Sequence, residues 1–199
     1  MERATTWRQV FGEGIADLRG NRKSRWDRFL IIVVLCSLAV GAQAQSATEY
    51  QLKAAFLFNF AKFIEWPPGS FPDATAPLRI CIFGRDPFGD QLRNITNEKT
   101  VNKRKLEVSQ VADLLHAKSC HILFIASSEK ASMKQILEGL GGASVLTVGD
   151  CKGFAEQGGM INFVLENYRV QFEVNRKAAE QAGLKISSKL LSVAKSVIV

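Results

Sequence analysis

Few side chains in the sequence have the types and spacing that catalysis or metal binding requires. Only two histidines occur, His116 and His121, and neither has Cys or carboxylate neighbours at metal-site spacing. The pair Ser127–Ser128 lacks the glycine-flanked serine turn of hydrolases, and the glycines within residues 139–142 precede a predicted strand rather than the helix of a phosphate-binding loop. We therefore predict a protein that is not an enzyme and that has no metal site and no cofactor.

Three polar residues are candidates for anion or ligand binding. Asp86, Ser127 and Asp150 each follow a predicted strand. The C-terminal ends of parallel strands form the ligand crevice in open α/β sheets, so these side chains could line one. Asp86 precedes Pro87, a pattern typical of a helix cap with Pro in the first turn. The alternative interpretation is a small anion held at that helix N-terminus.

The first 44 residues have the pattern of a secretion signal. Four basic residues between Arg22 and Arg28 precede an apolar run, Phe29 to Val40, and Ala42 and Ala44 supply the small residues that signal peptidase requires. The run has 12 residues, whereas a membrane span needs about 20. We expect cleavage after Ala44, export to the periplasm, and one domain over residues 45–199. The alternative is an uncleaved anchor.

The positive charge of the chain does not indicate nucleic-acid binding. The formal net charge is +7, but the leader holds seven basic and four acidic residues, which leaves 19 basic and 15 acidic residues in the expected mature chain. The one dense basic run, Lys103–Lys105, is typical of a solvated turn before a strand. We predict no nucleic-acid partner and, after cleavage, no direct membrane insertion.

The hydrophobic pattern predicts a single α/β domain. Residues Tyr50–Trp66 contain no Gly or Pro, carry apolar residues at helical spacing and end before Pro67, so they predict a helix. Short apolar runs that alternate with helical segments follow, which favours a mostly parallel sheet between helices, a Rossmann- or flavodoxin-like three-layer sandwich. The predicted strands are Leu78–Phe83, Lys105–Val108, His121–Ala126 and Ser144–Val148, and the predicted helices between them are Pro87–Asn94, Val111–Ala117 and Lys130–Leu140.

The segment Met160–Asn175 predicts a C-terminal antiparallel hairpin. If Asn167 and Tyr168 form a two-residue loop, Phe163 lies opposite Phe172, and apolar pairs alternate with polar pairs across the two faces. Tyr168 is not an ideal residue for a type I′ loop, so a slightly longer turn is the alternative. Two short helices are predicted to follow, Arg176–Gln181 and Ser187–Lys195.

Three cysteines remain after the predicted cleavage, and an oxidising compartment favours a disulfide between two of them. Cys81 lies in the first predicted strand and Cys120 at the entry to the third. Those strands are commonly neighbours in doubly wound sheets, so we predict a Cys81–Cys120 disulfide. Cys151, on the loop after the fourth strand, is left unpaired.

Two places leave apolar or charged side chains without an obvious role. Phe58 lies among the polar residues of the predicted first helix, and Val164 shares the polar face of the hairpin with Glu166 and Arg169. We predict that these four residues belong to a partner-binding surface. The alternative is burial, of Phe58 under the C-terminal helices and of Val164 under a neighbouring helix.

Longer motifs resemble a known family. The segments concerned are YQLKAAFLFNFAKFIEWP (residues 50–67), GGMINF (158–163), RVQFEVN (169–175) and AGLKISSKLL (182–191). They resemble the opening and closing signatures of the YfiR-like family of periplasmic regulatory domains, and the resemblance covers the whole mature chain.

The resemblance implies regulation rather than catalysis. The best understood member represses an inner-membrane diguanylate cyclase through its periplasmic portion, which lowers cyclic di-GMP and biofilm formation. The family is also associated with dimers and with redox-sensitive disulfides. The Cys81–Cys120 pair matches a family disulfide, whereas a second one has no counterpart because Cys151 lacks a partner cysteine.

From the residues and the resemblance together we expect a regulator that binds and restrains an inner-membrane signalling protein, such as a diguanylate cyclase, and that can form a homodimer. The alternative is a small-ligand-binding sensor that serves a membrane kinase or a transport system.

Overall fold

The first described element is a helix, α1, which covers residues 48–63 in the computed structural model; the model describes residues 48–199. The predicted signal peptide, 1–44, lies outside the described residues. α1 ends at residue 63, three residues before the predicted end, because Ile64–Glu65 forms a short strand, β1. That strand pairs antiparallel with β9 (Lys185–Ile186), and Pro67 follows it.

The remaining strands form one eight-stranded sheet. They are β2 (Leu78–Phe83), β3 (Thr100–Val101), β4 (Arg104–Val111), β5 (Ile122–Ile125), β6 (Leu146–Gly149), β7 (Ile161–Glu166), β8 (Arg169–Asn175) and β10 (Ser196–Ile198). The helices are α2 (Asp90–Thr96), α3 (Leu114–Ala117), α4 (Met133–Leu140), α5 (Arg176–Gln181) and α6 (Ser188–Leu191), with a 3-10 turn at Ser127–Glu129. No helix within residues 48–199 has both the length and the apolar character needed to cross a membrane.

The sheet has the order β10-β8-β7-β6-β5-β2-β4-β3. The α/β class is confirmed, but the predicted mostly parallel, Rossmann-like arrangement is matched only in part, because the sheet is mixed. β7–β8 and β3–β4 are antiparallel, whereas the other neighbours in the sheet are parallel. Both antiparallel pairs are joined by two-residue turns, Asn102–Lys103 and Asn167–Tyr168, whose four residues have positive φ. Such tight turns can join only antiparallel strands.

The predicted register of the C-terminal hairpin is confirmed. Phe163 lies opposite Phe172, Leu165 opposite Val170 and Glu166 opposite Arg169. The loop has two residues, so the longer alternative is wrong. Alternating burial fixed this register because a slip of one residue would move every apolar side chain to the other face.

α1 packs on one face of the sheet. The ring of Phe60 lies 5.7 Å from that of Phe163 and 5.1 Å from that of Phe172. The opposite face packs against α3, α4 and the loop that contains Phe154. A Cβ at Gly159 would lie 2.1 Å from the Phe154 ring, so glycine is required for this close approach.

Two expectations about the termini of the domain are wrong. The apolar residues at helical spacing in the first predicted helix are expected to face the core, but Leu52 is 47% exposed. The predicted helix Ser187–Lys195 is limited to α6, and residues 196–198 form β10 instead. The amide of Lys195 donates to the Phe172 carbonyl oxygen, which brings the following residues alongside the free edge of β8.

Candidate functional site

The structure places the three predicted ligand-site residues at one edge of the sheet. Asp86, Ser127 and Asp150 follow β2, β5 and β6, which are adjacent parallel strands. The edge is the one formed by the C-terminal strand ends, where the sequence predicted a ligand crevice. No hydrogen bond joins any two of these side chains, all three of which are described, so they form no common constellation.

The structure does not use Asp86 as a helix cap. Its Oδ1 accepts a hydrogen bond of 2.7 Å from the amide of Phe88, a local turn two residues long. α2 starts at Asp90, with Gly89 at the N-cap and no side-chain cap. The predicted helix start at Pro87 is therefore wrong. Asp86 does not lie at a helix N-terminus, where the alternative interpretation placed a small anion.

A side-chain hydrogen bond joins the loops that follow β2 and β5. The hydroxyl of Ser128 accepts a hydrogen bond of 2.9 Å from the amide of Arg85 and donates one of 3.0 Å to Glu129. A Cβ at Gly84 would lie 2.6 Å from the Ser128 hydroxyl, so the two loops approach as closely as glycine permits. Ser127 itself is exposed in the 3-10 turn.

Asp150 belongs to a buried ionic cluster with the first turns of α1. Its Oδ2 lies 2.8 Å from the Lys53 ammonium and accepts a 2.8 Å hydrogen bond from the Tyr50 hydroxyl. The side chains of Lys53 and Asp150 are only 5% and 4% exposed. Glu49 Oε1 lies 2.6 Å from the same ammonium. Asp150 Oδ1 is buried without a hydrogen-bond partner.

Burial changes the acidity of the groups around this cluster. Burial and the neighbouring Asp150 carboxylate raise the pKa of the Tyr50 hydroxyl above its ordinary range, so Tyr50 remains a hydrogen-bond donor. The same two causes raise the pKa of the Cys151 thiol, which is free and buried. A thiol in this environment is a poor nucleophile, because the thiolate is the reactive form. The cluster therefore anchors α1 to the end of β6 rather than assembling an acid and a base.

Sequence reasoning missed Lys53 and Tyr50 as members of this site. The signal was present, because Lys53, Leu57 and Phe60 are spaced at i, i+4 and i+7, and all three are buried. A lysine at a core position predicts a buried acidic partner, since an unpaired buried charge is costly.

The predicted disulfide is present in the structure. Cys81 in β2 is bonded to Cys120, two residues before β5, with a Cα–Cα distance of 6.0 Å. β2 and β5 are paired neighbours, as the prediction required.

The four predicted partner-binding residues lie toward opposite edges of the sheet. The ring of Phe58 is half-buried, with the Lys62 ammonium 4.0 Å and the Lys99 ammonium 4.8 Å from its centre, next to β3. Val164 is half-buried in the hairpin near the other edge, and Glu166 there pairs with Lys195 at 3.1 Å. Arg169 is exposed, opposite Glu166. Phe58 and the hairpin group therefore belong to separate surfaces.

Comparisons with known proteins identify one family. The model of the family described as YfiR/HmsC-like matches residues 50–195, well over half of the chain. No curated protein matches the chain.

Two solved structures resemble the fold at low identity. A conserved domain protein from Vibrio cholerae O1 biovar El Tor is 12% identical, with a TM-score of 0.48 over 60% of this chain and 54% of that chain. An ABC domain in complex with L-Trp, from Streptococcus pneumonia, is 11% identical, with a TM-score of 0.44 over 60% and 55%. The chain thus spans about half the length of these two proteins.

Proposed function

The chain belongs to the YfiR/HmsC-like family, and we propose that it is a periplasmic signalling regulator that binds an inner-membrane partner and restrains its activity. The proposed partner is a signalling protein with a periplasmic portion, such as a diguanylate cyclase. Restraint of such an enzyme lowers cyclic di-GMP and with it biofilm formation.

The family match over residues 50–195 carries this proposal, because the family consists of periplasmic regulators that are generally non-catalytic. Two features of the chain support it. The disulfide Cys81–Cys120 suits an oxidising compartment. The residues before the domain have the pattern of a cleavable secretion signal.

Deletion of the gene tests the function directly. We expect cyclic di-GMP, or the output of another membrane signalling partner, to rise in the deletion strain and to return to its initial level when the gene is restored. Affinity capture with the purified mature protein from detergent-solubilised inner membranes should retain the partner. If second-messenger levels are unchanged and no membrane protein is retained, the result favours the alternative, a ligand-binding sensor.

Two single substitutions separate the two candidate surfaces. Val164→Glu places a charge on the hairpin face, whereas Phe58→Glu places one beside Lys62 and Lys99 at the other edge. We expect Val164→Glu to abolish capture of the partner without unfolding the protein, as loss of a central contact does. Phe58→Glu should then bind normally. If Val164→Glu binds normally, the hairpin face is not the interface.

A further inference from the structure

The segment that connects β1 to β2, residues 66–77, contains no helix or strand. It holds four of the five prolines of the chain. Proline has no backbone donor, so a segment of this composition is poorly suited to strand pairing. Within residues 48–199, its hydrogen bonds to the sheet involve three side chains, those of Trp66, His121 and Arg104. We call residues 66–77 the latch.

His121, which directly precedes β5, holds one half of the latch. The Arg79 amide donates a 3.0 Å hydrogen bond to its Nδ1, so the proton of the neutral ring is on Nε2. Nε2 donates to the Ser70 carbonyl oxygen at 3.1 Å, and the ring stacks on that of Phe71 with 4.1 Å between centroids. The Trp66 indole donates to the His121 carbonyl oxygen at 3.2 Å.

Arg104 in β4 holds the other half of the latch. Its guanidinium donates hydrogen bonds of 2.8 and 2.7 Å to the carbonyl oxygens of Asp73 and Ala76. It also lies 3.9 Å from the centre of the Phe71 ring. The imidazole and the guanidinium are both in contact distance of that ring, so they occupy its opposite faces. Arginine keeps its charge at every pH used with proteins, so the response to pH comes from His121.

Protonation of His121 is incompatible with the closed latch. An imidazolium has two N–H donors and no acceptor, whereas the backbone amide of Arg79 can only donate. The two N–H groups would face each other, and the amide would lose its acceptor at a cost in free energy. The ring relieves this conflict by turning away, which removes its contacts with Ser70 and Phe71.

The sheet around His121 does not depend on the imidazole. The amide of His121 donates to the Arg79 carbonyl oxygen at 3.0 Å, and its carbonyl oxygen accepts a 2.8 Å hydrogen bond from the amide of Leu146. Both bonds belong to the backbone, so they remain when the ring turns away. Protonation therefore acts on the latch before it acts on the sheet.

The surroundings of His121 restrict its protonation to acid. Burial lowers the pKa of His121, and the Arg79 and Arg104 charges lower it further, against the Ser70 hydrogen bond, which raises it. Lys118, directly after α3, lines the same cavity as His121. Asp73, the acidic residue of the latch, is exposed, and its carboxylate accepts hydrogen bonds from Thr75 and Ala76 within the latch itself.

We propose that residues 66–77 form an acid-released latch: protonation of His121 detaches the segment from the sheet and exposes the rings of Trp66 and Phe71, while the rest of the domain stays folded. The Arg104 hydrogen bonds keep the released segment near β4, so the latch closes again when the pH rises. Histidine is the side chain on which acid switches are usually built. The inference goes beyond the proposed function, because it concerns a response of the domain itself.

Trp66 reports on the latch directly. It is the single tryptophan of the predicted mature chain, because Trp7 and Trp26 lie in the leader. The emission maximum of Trp66, its quenching by acrylamide and the far-UV circular dichroism are recorded from pH 8 to pH 4.5. Below about pH 6.5 the emission should move to longer wavelength and the quenching constant should rise about twofold or more, while the circular dichroism stays unchanged.

Two histidine variants assign the transition. His121→Asn keeps an acceptor for the Arg79 amide but cannot be protonated, so its Trp66 quenching should not change with pH. His116→Asn removes the other histidine, whose ring lies 2.7 Å from the Asp113 carboxylate outside the latch, and should still show the Trp66 transition.

Amide hydrogen exchange of the wild type provides the same test if His121→Asn does not fold. On acidification, and after correction for the intrinsic exchange rate, protection should fall at the Arg79 amide and in residues 67–77. Protection in α1 and α4 should be retained.

Three results would overturn the proposal. If the Trp66 signal and the circular dichroism change together, acid unfolds the whole domain and no latch opens separately. If neither the Trp66 signal nor latch protection changes down to pH 4.5, His121 does not release the segment. If the Trp66 transition persists unchanged in His121→Asn, another group causes it. None of these results bears on capture of the membrane partner, so the proposed function is tested independently.

Discussion

His121 shows how much one side chain can be constrained by its surroundings. Its Nδ1 accepts a 3.0 Å hydrogen bond from the Arg79 amide, and its Nε2 lies 3.1 Å from the Ser70 carbonyl oxygen, to which it donates. Its ring stacks on Phe71 at 4.1 Å, and the Arg104 guanidinium covers the Phe71 ring at 3.9 Å. These contacts fix the neutral tautomer and attach the loop before β2 to the start of the sheet.

The sequence did not reveal this role. His121 stands at the start of a predicted strand and has no neighbours at metal-site spacing, so the sequence assigned it no role, yet it is 6% exposed. A lone histidine has no periodic pattern around it, and its partners are backbone groups of distant segments. Such contacts appear only when the tertiary structure is known.

The surroundings of His121 predict a pH-dependent stability. Burial lowers the pKa of His121 below its ordinary value, and the nearby Arg79 and Arg104 charges lower it further. The unfolded chain, in which the pKa of histidine is about 6.5, then binds the proton more readily than the folded protein. The contribution of neutral His121 to the free energy of unfolding is therefore complete above about pH 6.5, and it is lost as the pH falls toward the pKa of His121 in the folded protein. Urea denaturation at several values between pH 8 and pH 5 measures it.

Two histidine variants isolate the effect. His121→Asn keeps an acceptor for the Arg79 amide but does not titrate, so its free energy of unfolding should depend less on pH than that of the wild type. His116→Asn removes the other histidine, which is exposed and lies 2.7 Å from the Asp113 carboxylate, and is measured as the comparison variant. An unchanged pH dependence in His121→Asn would refute the assignment.

At the scale of elements, pattern length decided what the sequence could predict. β2, α5 and the register of the hairpin agree with the prediction because each is defined by an apolar run, helical spacing or alternation over six or more residues. β1, β3, β9 and β10 have only two or three residues each, which is too short for a period to be visible. Their pairing depends on which edges the longer elements leave free.

For the candidate site, the sequence predicted the position of Asp150 but not its partners. Asp150 was placed correctly at the C-terminal edge because it follows an apolar strand, but its partners come from α1, almost 100 residues earlier. The helical spacing of apolar residues predicted α1, and that pattern gives Lys53 no role. Charge pairing over such a sequence separation has no local signal.

The Lys53–Asp150 pair should contribute to stability in a way that a double-mutant cycle can isolate. Lys53→Met leaves the Asp150 carboxylate buried without its counter-charge and should lower the free energy of unfolding by about 3–5 kcal/mol. Lys53→Met combined with Asp150→Leu removes both charges of the pair and should recover part of that loss, because Glu49 and the Tyr50 hydroxyl still lose their partners. Chemical denaturation of the wild type, both single variants and the double variant provides the coupling energy.

An exposed pair serves as the control for this cycle. Arg176 and Glu180 lie 2.7 Å apart but are about half exposed, so Arg176→Met should cost less than about 1 kcal/mol. If Lys53→Met costs no more than Arg176→Met, the buried cluster does not anchor α1.

At the scale of the whole molecule, the order of the strands explains why a disulfide is placed between β2 and the entry to β5. The chain leaves β2, forms β4, and then crosses back over β2 to reach β5 on its other side. β2 and β5 are therefore neighbours in space although the bonded cysteines are separated by 39 residues. The disulfide joins the two ends of the segment that runs from β2 through β4 and α3 to the start of β5.

Closure of such a loop should stabilise the domain substantially. In the chain-entropy model, a cross-link over 39 residues lowers the entropy of the unfolded chain and contributes roughly 3–4 kcal/mol to the free energy of unfolding. Urea denaturation of the mature protein with and without a reducing agent should show this difference. The measurement is made in a Cys151→Ala background, so that the buried free thiol cannot exchange with the bond.

The double variant Cys81→Ala, Cys120→Ala provides the control, because its stability should be low in both conditions and should not change with the reducing agent.

A peptide map of the oxidised wild type tests the pairing itself and should show Cys81 joined to Cys120. Cys151 should be alkylated only after denaturation, since burial raises the pKa of its thiol. A monomer in which Cys151 is joined to either of the other two would contradict the strand arrangement. A wild type whose stability does not change on reduction would show that β2 and β5 are held together by their packing alone.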